Sequence, residues 1–290
     1  MTSRFATLVF ERHVAAPASA LWHAWISPAA RALWSAPNEA VTVEYLSADP
    51  HIGGEELSLC KVEGQKDIAC AIRWLALEPN RRSVNTEVIG CEGVMLSAAL
   101  VTADLLSQGD GSALKLTVQL SSLAEDMEQG YQQGFGAGLD NLVAVAHRTM
   151  VLERVIAAPA ALVWEAWTDP KALPLWWGPE GFSCRTRRID LRAGGEWVFD
   201  MIGPDGTVFP NHHKISRHDA LERIDYTLHW GEDGPKHADA SALFQDLGGK
   251  TKVSLCMTFS TQNEHDQAKG FGAYELGLQT LDKLARHLGV

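Results

Sequence analysis

The chain has 290 residues, of which 46% are hydrophobic and 21% are charged, so it has the composition of a globular protein with ample material for a core. Its net charge of -11 argues against nucleic acid and anionic membrane surfaces as partners, because no excess of basic residues is available to bind phosphates. No secretory signal and no uninterrupted apolar segment of membrane-spanning length is visible, and the five cysteines are never spaced C-x-x-C. We therefore expect a cytoplasmic protein with free thiols and no membrane insertion.

The chain contains one pattern twice. Residues 11–28 read ERHVAAPASALWHAWISP and residues 153–170 read ERVIAAPAALVWEAWTDP, an offset of 142 positions without a gap. The same offset returns near the ends, where LDNL at 139–142 matches LDKL at 281–284. Solenoid repeats have periods of about 20–50 residues, so this longer period indicates two duplicated domains.

The join between the copies is short. HRTM at 147–150 separates them, with no linker rich in proline, glycine or serine. We predict two domains, residues 1–147 and residues 148–290, tied closely enough to touch.

Each copy begins with a strand and two short helices. In the second copy MVLERVI predicts the strand, and Pro159 suits the first turn of a helix because its missing N–H costs nothing there. Asp169 followed by Pro170 predicts the start of the second helix, which places Leu173 and Trp176 on one face.

From Phe182 onward the hydrophobic period changes to two. Apolar and polar residues alternate over 196–201, 224–230 and 253–259, which indicates half-buried antiparallel strands, and GPDG at 203–206 predicts a hairpin turn. The last segment, 264–288, returns to helical spacing. The predicted fold class is α+β, with each antiparallel sheet curled around a long C-terminal helix.

The terminal helices contain glycines that each cost about 1 kcal/mol relative to alanine. Close contact with the sheet, or room for a guest beneath the helix, would explain them, and frayed first turns would explain Gly130 and Gly270. The glycines are Gly130, Gly134, Gly136 and Gly138 in the first copy, and Gly270, Gly272 and Gly277 in the second.

The second copy also carries L-x-x-W-W-G-P and D-L-R-x-G-G-x-W after the shared A-P-x-x-x-[VL]-W-x-A-W-x-[DS]-P. This set of motifs resembles the family named for activators of the heat-shock protein 90 ATPase, in the START-like (SRPBCC) superfamily. The resemblance runs from Glu153 to Phe209 and resumes at the terminal helix. It implies a helix-grip fold in which a curved sheet and a long helix enclose an apolar cavity.

The first copy departs from the family pattern. It carries Ser35-Ala36 where the second copy has Trp177-Gly178, and it lacks the GPDG turn, with VEGQKD at 62–67 as the nearest equivalent. We therefore interpret it as the divergent copy and the second as the family-typical copy. We expect its hairpin to be shorter and its cavity to be smaller or filled by its own side chains.

The tryptophan-rich segment 162–182 indicates a ligand cavity in the second copy. Trp176 and Trp177 are adjacent on a short helix and cannot face the same way, so at least one should face a cavity or solvent. Core packing is the alternative interpretation of this pair, and it is the interpretation that we adopt for Trp164 and Trp167 on the first helix. The candidate lining residues, which depend on which face of each strand points inward, are Trp176, Trp177, Phe182, Phe199, Phe209, His213, Tyr226 and Trp230.

The sequence nominates no catalytic group and no metal site. His212 and His213 are neighbours on a predicted strand and face opposite sides, so they are a poor chelating pair. Asp190, Glu196 and Asp200 lie among arginines, which favours cross-strand ion pairs over acid–base catalysis. We predict no catalytic residue, no metal and no cofactor.

Three functions fit these observations. The first is binding of an apolar or amphipathic small molecule in a START-like cavity. The second, implied by the family name, is a cochaperone-like module that stimulates a chaperone ATPase. The third is a cyclase- or hydrolase-like START enzyme, for which His213 is the only named candidate. The ligand and the oligomeric state stay open.

Overall fold

The computed structural model describes residues 3–290. The chain divides into two compact units, Met1–His147 and Arg148–Val290, here called unit one and unit two. Among the residues described, no helix is both long enough and apolar enough to cross a membrane.

Unit one runs from a long first strand, through two short helices and six further strands, to one long helix. Its elements are β1 (Arg4–Val14), α1 (Ala18–Ile26), α2 (Pro28–Trp34), β2 (Val41–Ser47), β3 (Glu55–Val62), β4 (Ile68–Glu78), β5 (Arg82–Cys91), β6 (Val94–Gln108), β7 (Gly111–Ser122) and α3 (Met127–His147).

Unit two repeats this order with a divided terminal helix. Its elements are β8 (Thr149–Ile156), α4 (Ala160–Thr168), α5 (Leu173–Trp176), β9 (Ser183–Ile189), β10 (Glu196–Ile202), β11 (Val208–Asp219), β12 (Arg223–His229), β13 (Lys236–Asp246), β14 (Thr251–Phe259), α6 (Gln262–Gly270) and α7 (Ala273–His287).

Each unit is built on one seven-stranded antiparallel sheet. The strand order is β1-β7-β6-β5-β4-β3-β2 in unit one and β8-β14-β13-β12-β11-β10-β9 in unit two. Buried residues alternate with partly buried or exposed ones along strands such as β7 and β12, because only one face of each sheet packs against helices. The structure confirms the predicted α+β class and the helix-grip fold of both units.

The terminal helix of unit two is not the single segment predicted over 264–288. It divides into α6 and α7 at Phe271 and Gly272, and Gly272 has a φ of 83°, a left-handed conformation that other residues rarely adopt. α6 begins with a capping box in which Thr261 accepts from the N–H of Glu264 and Glu264 accepts from the N–H of Thr261.

The second short helix also begins later than predicted. α5 starts at Leu173, not at Asp169. The Asp169 carboxylate instead accepts a hydrogen bond of 2.8 Å from the N–H of Lys171, which stabilises a turn before the helix.

The predicted shortening of the hairpin in unit one is wrong. Residues 63–67 connect β3 to β4, and residues 203–207 connect β10 to β11, so both connections have five residues. The GPDG sequence changes the chemistry of the turn, in which Asp205 accepts from the N–H of Thr207 at 2.9 Å, but it leaves the loop length unchanged.

The glycines of the terminal helices have two different explanations. At Gly277 a Cβ atom would lie 2.2 Å from Cδ1 of Leu152, because α7 packs closely on β8. At Gly134 in α3 a Cβ atom would meet nothing within 4 Å. Close contact therefore accounts for Gly277 in unit two, whereas space lies beside Gly134 in unit one.

Candidate functional site

Unit two contains a cavity of about 30 Å³ between the short helices α4 and α5 and the concave face of the sheet. This volume is room for about two water molecules, far below the few hundred Å³ of a typical ligand pocket. The residues that line it are Trp167, Leu173, Trp177, Leu191, Trp197, His213, Ile215, Ile224 and Tyr226.

Strand register brings the rings of the cavity together. Trp197 of β10 pairs directly with His213 of β11, so both side chains project from the concave face. Their ring centroids lie 5.5 Å apart at an interplanar angle of 88°. Tyr226 of β12 stacks on the other side of His213, with centroids 5.1 Å apart.

The indole of Trp177 forms the helix side of the cavity. It follows α5 directly and lies edge-on to Trp167 at 5.4 Å and to Trp197 at 5.7 Å. Trp177 is half-buried, whereas Trp167 and Trp197 are 4% and 1% exposed. Trp177 is therefore the large aromatic side chain of the cavity with the most freedom to move.

The polar atoms of two lining residues, His213 and Trp167, bear directly on what this apolar region can bind. Burial lowers the pKa of His213 to about 3, with smaller contributions from His237, His212 and His229, so its imidazole is neutral at physiological pH. The indole N–H of Trp167 is buried and has no hydrogen-bond acceptor among residues 3–290. The cavity thus contains hydrogen-bonding capacity but no charge.

The structure brings three of the eight sequence-predicted residues, Trp177, His213 and Tyr226, to the cavity. Trp176 and Phe199 lie in the adjoining core, each 1% exposed. The indole N–H of Trp176 donates to the carbonyl of Ala166 at 2.9 Å, and Phe199 stacks on Trp197 with a centroid distance of 3.8 Å.

The other three predicted residues lie away from the cavity. Phe182 and Phe209 contact each other, with centroids 6.1 Å apart, and Phe209 is 39% exposed. Trp230 lies beyond the end of β12, is 52% exposed and stacks on His237 at 4.1 Å.

Sequence reasoning missed six lining residues. Trp197 lies on the same face of β10 as Phe199, and Ile224 lies on the same face of β12 as Tyr226. The alternation along these strands therefore already indicated that Trp197 and Ile224 face the same side as the predicted residues. Ile215 lies on the same face as His213. The remaining three, Trp167, Leu173 and Leu191, come from helices and a loop, where the sequence carries no comparable signal.

The convex face of the same sheet carries ion pairs. His212 points away from the cavity, and its Nε2 lies 2.7 Å from a carboxylate oxygen of Glu196. Asp200 is covered by Arg185 and Arg187, and these interactions hold the pKa of its carboxyl below the usual range. The acidic residues of this hairpin therefore pair with basic groups and are not positioned as an acid–base pair.

The equivalent rung of unit one has different chemistry. In unit two Trp197, His213 and Leu228 occupy directly opposite positions on β10, β11 and β12. In unit one the corresponding rung of β3, β4 and β5 contains Glu56, Ile72 and Glu87. A tryptophan and a leucine in one copy are thus replaced by two carboxyl groups in the other.

A buried ion pair fills the region of unit one that corresponds to the cavity. Arg31, at the position of Leu173, contacts Glu56, and their side chains are only 7% and 2% exposed. The indole N–H of Trp74 donates to Glu56 at 2.8 Å, and the Arg31 guanidinium lies 5.0 Å from the ring of Tyr45. Side chains of unit one therefore occupy this space themselves.

The fold and the site define a class of protein, a tandem pair of helix-grip domains of which the second contains a small apolar cavity. The model of the family described as "Activator of Hsp90 ATPase homolog 1-like protein" matches the chain twice, at residues 15–147 and 157–289. The chain belongs to this family, and the double match confirms the tandem duplication.

The chain is also similar to solved structures that each cover about half of it. Protein Mll3558 from Rhizobium loti is 24% identical, covering 50% of this chain and 99% of its own, with a TM-score of 0.46. Protein NE0264 from Nitrosomonas europaea is 27% identical, covering 50% and 96%, with a TM-score of 0.45. No curated protein matches the chain.

Proposed function

We propose that unit two binds a small, uncharged, largely apolar molecule in the cavity beside Trp177. The observation that carries the proposal is the lining itself, which is aromatic and aliphatic and whose polar groups include a neutral histidine, the tyrosine Tyr226 and an indole N–H that has no acceptor among residues 3–290. Binding sites for small molecules combine apolar walls with a few such polar groups.

The polar atoms restrict the ligand. A charged ligand would lose its hydration against walls that offer no counter-charge, which costs several kcal/mol. A carbonyl or hydroxyl oxygen could accept a hydrogen bond from Trp167 or from the protonated nitrogen of His213. The proposed ligand is therefore neutral and carries one hydrogen-bond acceptor.

The cavity must enlarge before such a molecule enters. Its volume of about 30 Å³ is below the roughly 150 Å³ that accommodates a benzene ring in a protein core. Trp177 is the half-buried member of the aromatic wall, and it precedes Gly178, whose φ is 92°. Rotation of Trp177 outward is the movement that would disturb the buried core least.

The test is binding of an apolar fluorescent probe, 1-anilinonaphthalene, to the full chain and to two variants. Ile215→Trp introduces into the cavity the residue type that unit one carries at the corresponding position, Trp74, and should abolish binding. Leu162→Trp adds the same side chain on α4 at a position that is 49% exposed, and should leave binding intact. Equal binding by both variants would refute the cavity as the site.

The family name supplies the competing function, stimulation of a chaperone ATPase. A pull-down with the full chain as bait discriminates between the two. If the full chain captures a chaperone ATPase stoichiometrically, and the Ile215→Trp variant captures it equally well, the cochaperone function is favoured over ligand binding in the cavity.

A further inference from the structure

Strand β1 is an edge of the sheet of unit one, since it lies at the end of the strand order and pairs with β7 on one side. Within residues 3–290, no backbone group of Arg4–Val14 is hydrogen-bonded to the backbone of a segment other than β7. Alternate residues of an antiparallel edge strand point their N–H and C=O groups away from the sheet. The outer edge of β1 therefore presents a row of backbone donors and acceptors that another strand can pair with.

The composition and geometry of β1 leave this edge open to pairing. The strand has eleven residues, contains no proline, and pairs with β7 without a register shift from Arg4 to Val14. Residues 5–10, FATLVF, are uncharged. Native proteins usually protect an edge by short strands, proline, bulges or charged side chains. None of these four features protects the middle of β1.

Apolar side chains are exposed beside the edge. Phe10 contacts Phe135 of α3, with ring centroids 5.9 Å apart, so the even-numbered residues of β1 face the helix and the odd-numbered ones lie on the convex face. On that face Phe5 is 80% exposed and Val9 is 53% exposed, with Thr7 between them. The convex side of β1 thus carries apolar surface next to unpaired backbone groups.

The equivalent strand of unit two lacks this surface. With the offset of 142 positions, β8 begins at Thr149, the counterpart of Thr7, and has no strand residues that correspond to Arg4–Ala6. The position of Phe5 is taken by His147, the last residue of α3. Of the two first strands, β1 is therefore the one with the longer edge and the exposed aromatic ring.

The opposite edges of the two sheets are protected. β9 carries Arg185, Arg187 and Arg188, and its pairing with β10 contains a register shift. The pairing of β2 with β3 shifts between Tyr45 and Ser47. Charges and bulges of this kind oppose the addition of a further strand. They set these edges apart from β1.

A second copy of β1 fits the open edge. A twofold axis normal to the sheet keeps the convex faces on one side, so odd-numbered residues face odd-numbered ones. With the axis at Thr7, Phe5 of each copy lies opposite Val9 of the other, and the two Thr7 side chains meet. Aromatic–β-branched and threonine–threonine pairs are favourable cross-strand pairs. Residues 3–11 of each copy then pair without placing like charges opposite each other.

The charges of β1 disfavour the neighbouring registers. An axis one residue further along would bring Arg4 of one copy opposite Arg12 of the other, and like charges at such positions destabilise the pairing. An axis two residues further along would bring Phe5 opposite His13 and remove its apolar partner. An axis one residue earlier would shorten the paired segment to residues 3–9. The positions of charge along the strand thus select the axis at Thr7.

We propose that the chain forms a twofold dimer in which the β1 strands of two copies pair antiparallel about Thr7. The pairing joins the seven-stranded sheets of the two copies into one continuous sheet. A strand-to-strand interface lies at the small end of specific interfaces, so we expect a dissociation constant of about 1–100 µM. Assembly stops at two copies, because a twofold contact uses the same edge of both.

Sedimentation equilibrium of the full chain from about 1 µM to 1 mM measures the dimer. Phe5→Lys and Val9→Glu each place a charge opposite an apolar residue, twice per dimer, and each should weaken association about tenfold or more. The double variant should recover the association, because the introduced lysine of each copy then lies opposite the introduced glutamate of the other. The two positions are about 13 Å apart along one strand, so this recovery reports on pairing between copies.

A matched control makes the same change elsewhere. Phe271→Lys replaces an aromatic residue of unit two that is 63% exposed, and it should leave association unchanged. Because Phe5 and Val9 are also exposed, all variants should stay folded, and far-ultraviolet circular dichroism checks this.

Four results would overturn the proposal. They are a monomer up to about 1 mM, association in Phe5→Lys equal to that of the unmodified protein, a double variant that associates no better than the single ones, and assemblies larger than two. The first would leave the edge of β1 to an extended segment of another protein. None of them bears on the cavity of unit two, which 1-anilinonaphthalene binding and the Ile215→Trp variant test separately.

Discussion

His213 lies edge-on to Trp197, with ring centroids 5.5 Å apart, at directly paired positions of β10 and β11. The imidazole is 6% exposed, and the stacked ring of Tyr226 covers its other side. The neutral form of this imidazole is favoured, because burial and the neighbouring His237, His212 and His229 lower its pKa, and no carboxylate among residues 3–290 offsets them. The aromatic cavity of unit two is therefore also a source of pH-dependent stability.

We expect the free energy of unfolding to fall as the pH drops below about 6.5. The pKa of His213 is lowered to about 3 and that of His237 to about 4, both chiefly by burial. The unfolded chain therefore takes up protons on these residues near pH 6.5, whereas the folded chain stays unprotonated there until about pH 3–4. Each histidine contributes a slope of about 1.4 kcal/mol per pH unit below pH 6.5.

Urea unfolding between pH 6.5 and 5 measures this slope above the range in which carboxylates titrate. His213→Phe keeps an aromatic ring at the position but cannot be protonated. It should therefore reduce the slope by the contribution of about one proton. The exposed His287→Gln should leave the slope unchanged. A slope in His213→Phe equal to that of the unmodified protein would contradict the assignment.

Trp176→Ala and Trp177→Ala should have different effects although the residues are adjacent. Trp176 is 1% exposed and hydrogen-bonded to Ala166, so its truncation should cost about 3–5 kcal/mol of stability. Trp177 is half-buried at the cavity, so Trp177→Ala should cost less and chiefly change probe binding. Chemical unfolding and 1-anilinonaphthalene titration of each variant measure the two effects. Equal losses of stability would contradict the assignment of Trp177 to the cavity wall.

The sequence predicted the fold of both units but only part of the site. The ungapped repeat and the change of hydrophobic period identify the strands and helices, because these patterns reflect which face of each element is buried. Tyr226 could be assigned to the concave face in this way. The same reasoning misplaced Trp230. The alternation of apolar and polar residues in the sequence continues to position 230, whereas β12 ends one residue earlier, at His229.

The contents of the cavity depend on features that local patterns do not contain. Leu191 reaches it from a loop, and bulges at Val198–Phe199 and Ile215–Arg217 shift the register between strands. The Arg31–Glu56 pair joins residues 25 positions apart on a helix and a strand. The charges could be read from the sequence, but their contact follows only from the packing of α2 on the sheet.

Alanine substitutions at Gly277 and Gly136 should change stability in opposite directions. A Cβ atom at Gly277 would lie 2.2 Å from Leu152, which is itself 1% exposed and has little room to move, so Gly277→Ala should destabilise unit two. A Cβ atom at Gly136 would meet nothing within 4 Å, so Gly136→Ala should stabilise α3 by up to about 1 kcal/mol. Urea unfolding of both variants checks the signs. Stabilisation by Gly277→Ala would show that α7 does not lie as close to β8 as in this structure.

Removing one partner of the Arg31–Glu56 pair should cost more than replacing both. Arg31→Leu introduces the residue that unit two has at Leu173, but it leaves the Glu56 carboxylate buried and uncompensated, which typically costs about 3–5 kcal/mol. The double variant Arg31→Leu with Glu56→Gln removes both charges and keeps an oxygen that can accept the hydrogen bond from Trp74. It should recover most of the loss, because a neutral amide is much less costly to bury than a carboxylate.

Urea unfolding of both variants and of Glu56→Gln alone completes a double-mutant cycle. If the stability losses of the two single variants simply add in the double variant, the two groups do not stabilise each other. The replacement of the apolar cavity by charges in unit one would then not depend on the pairing of those charges.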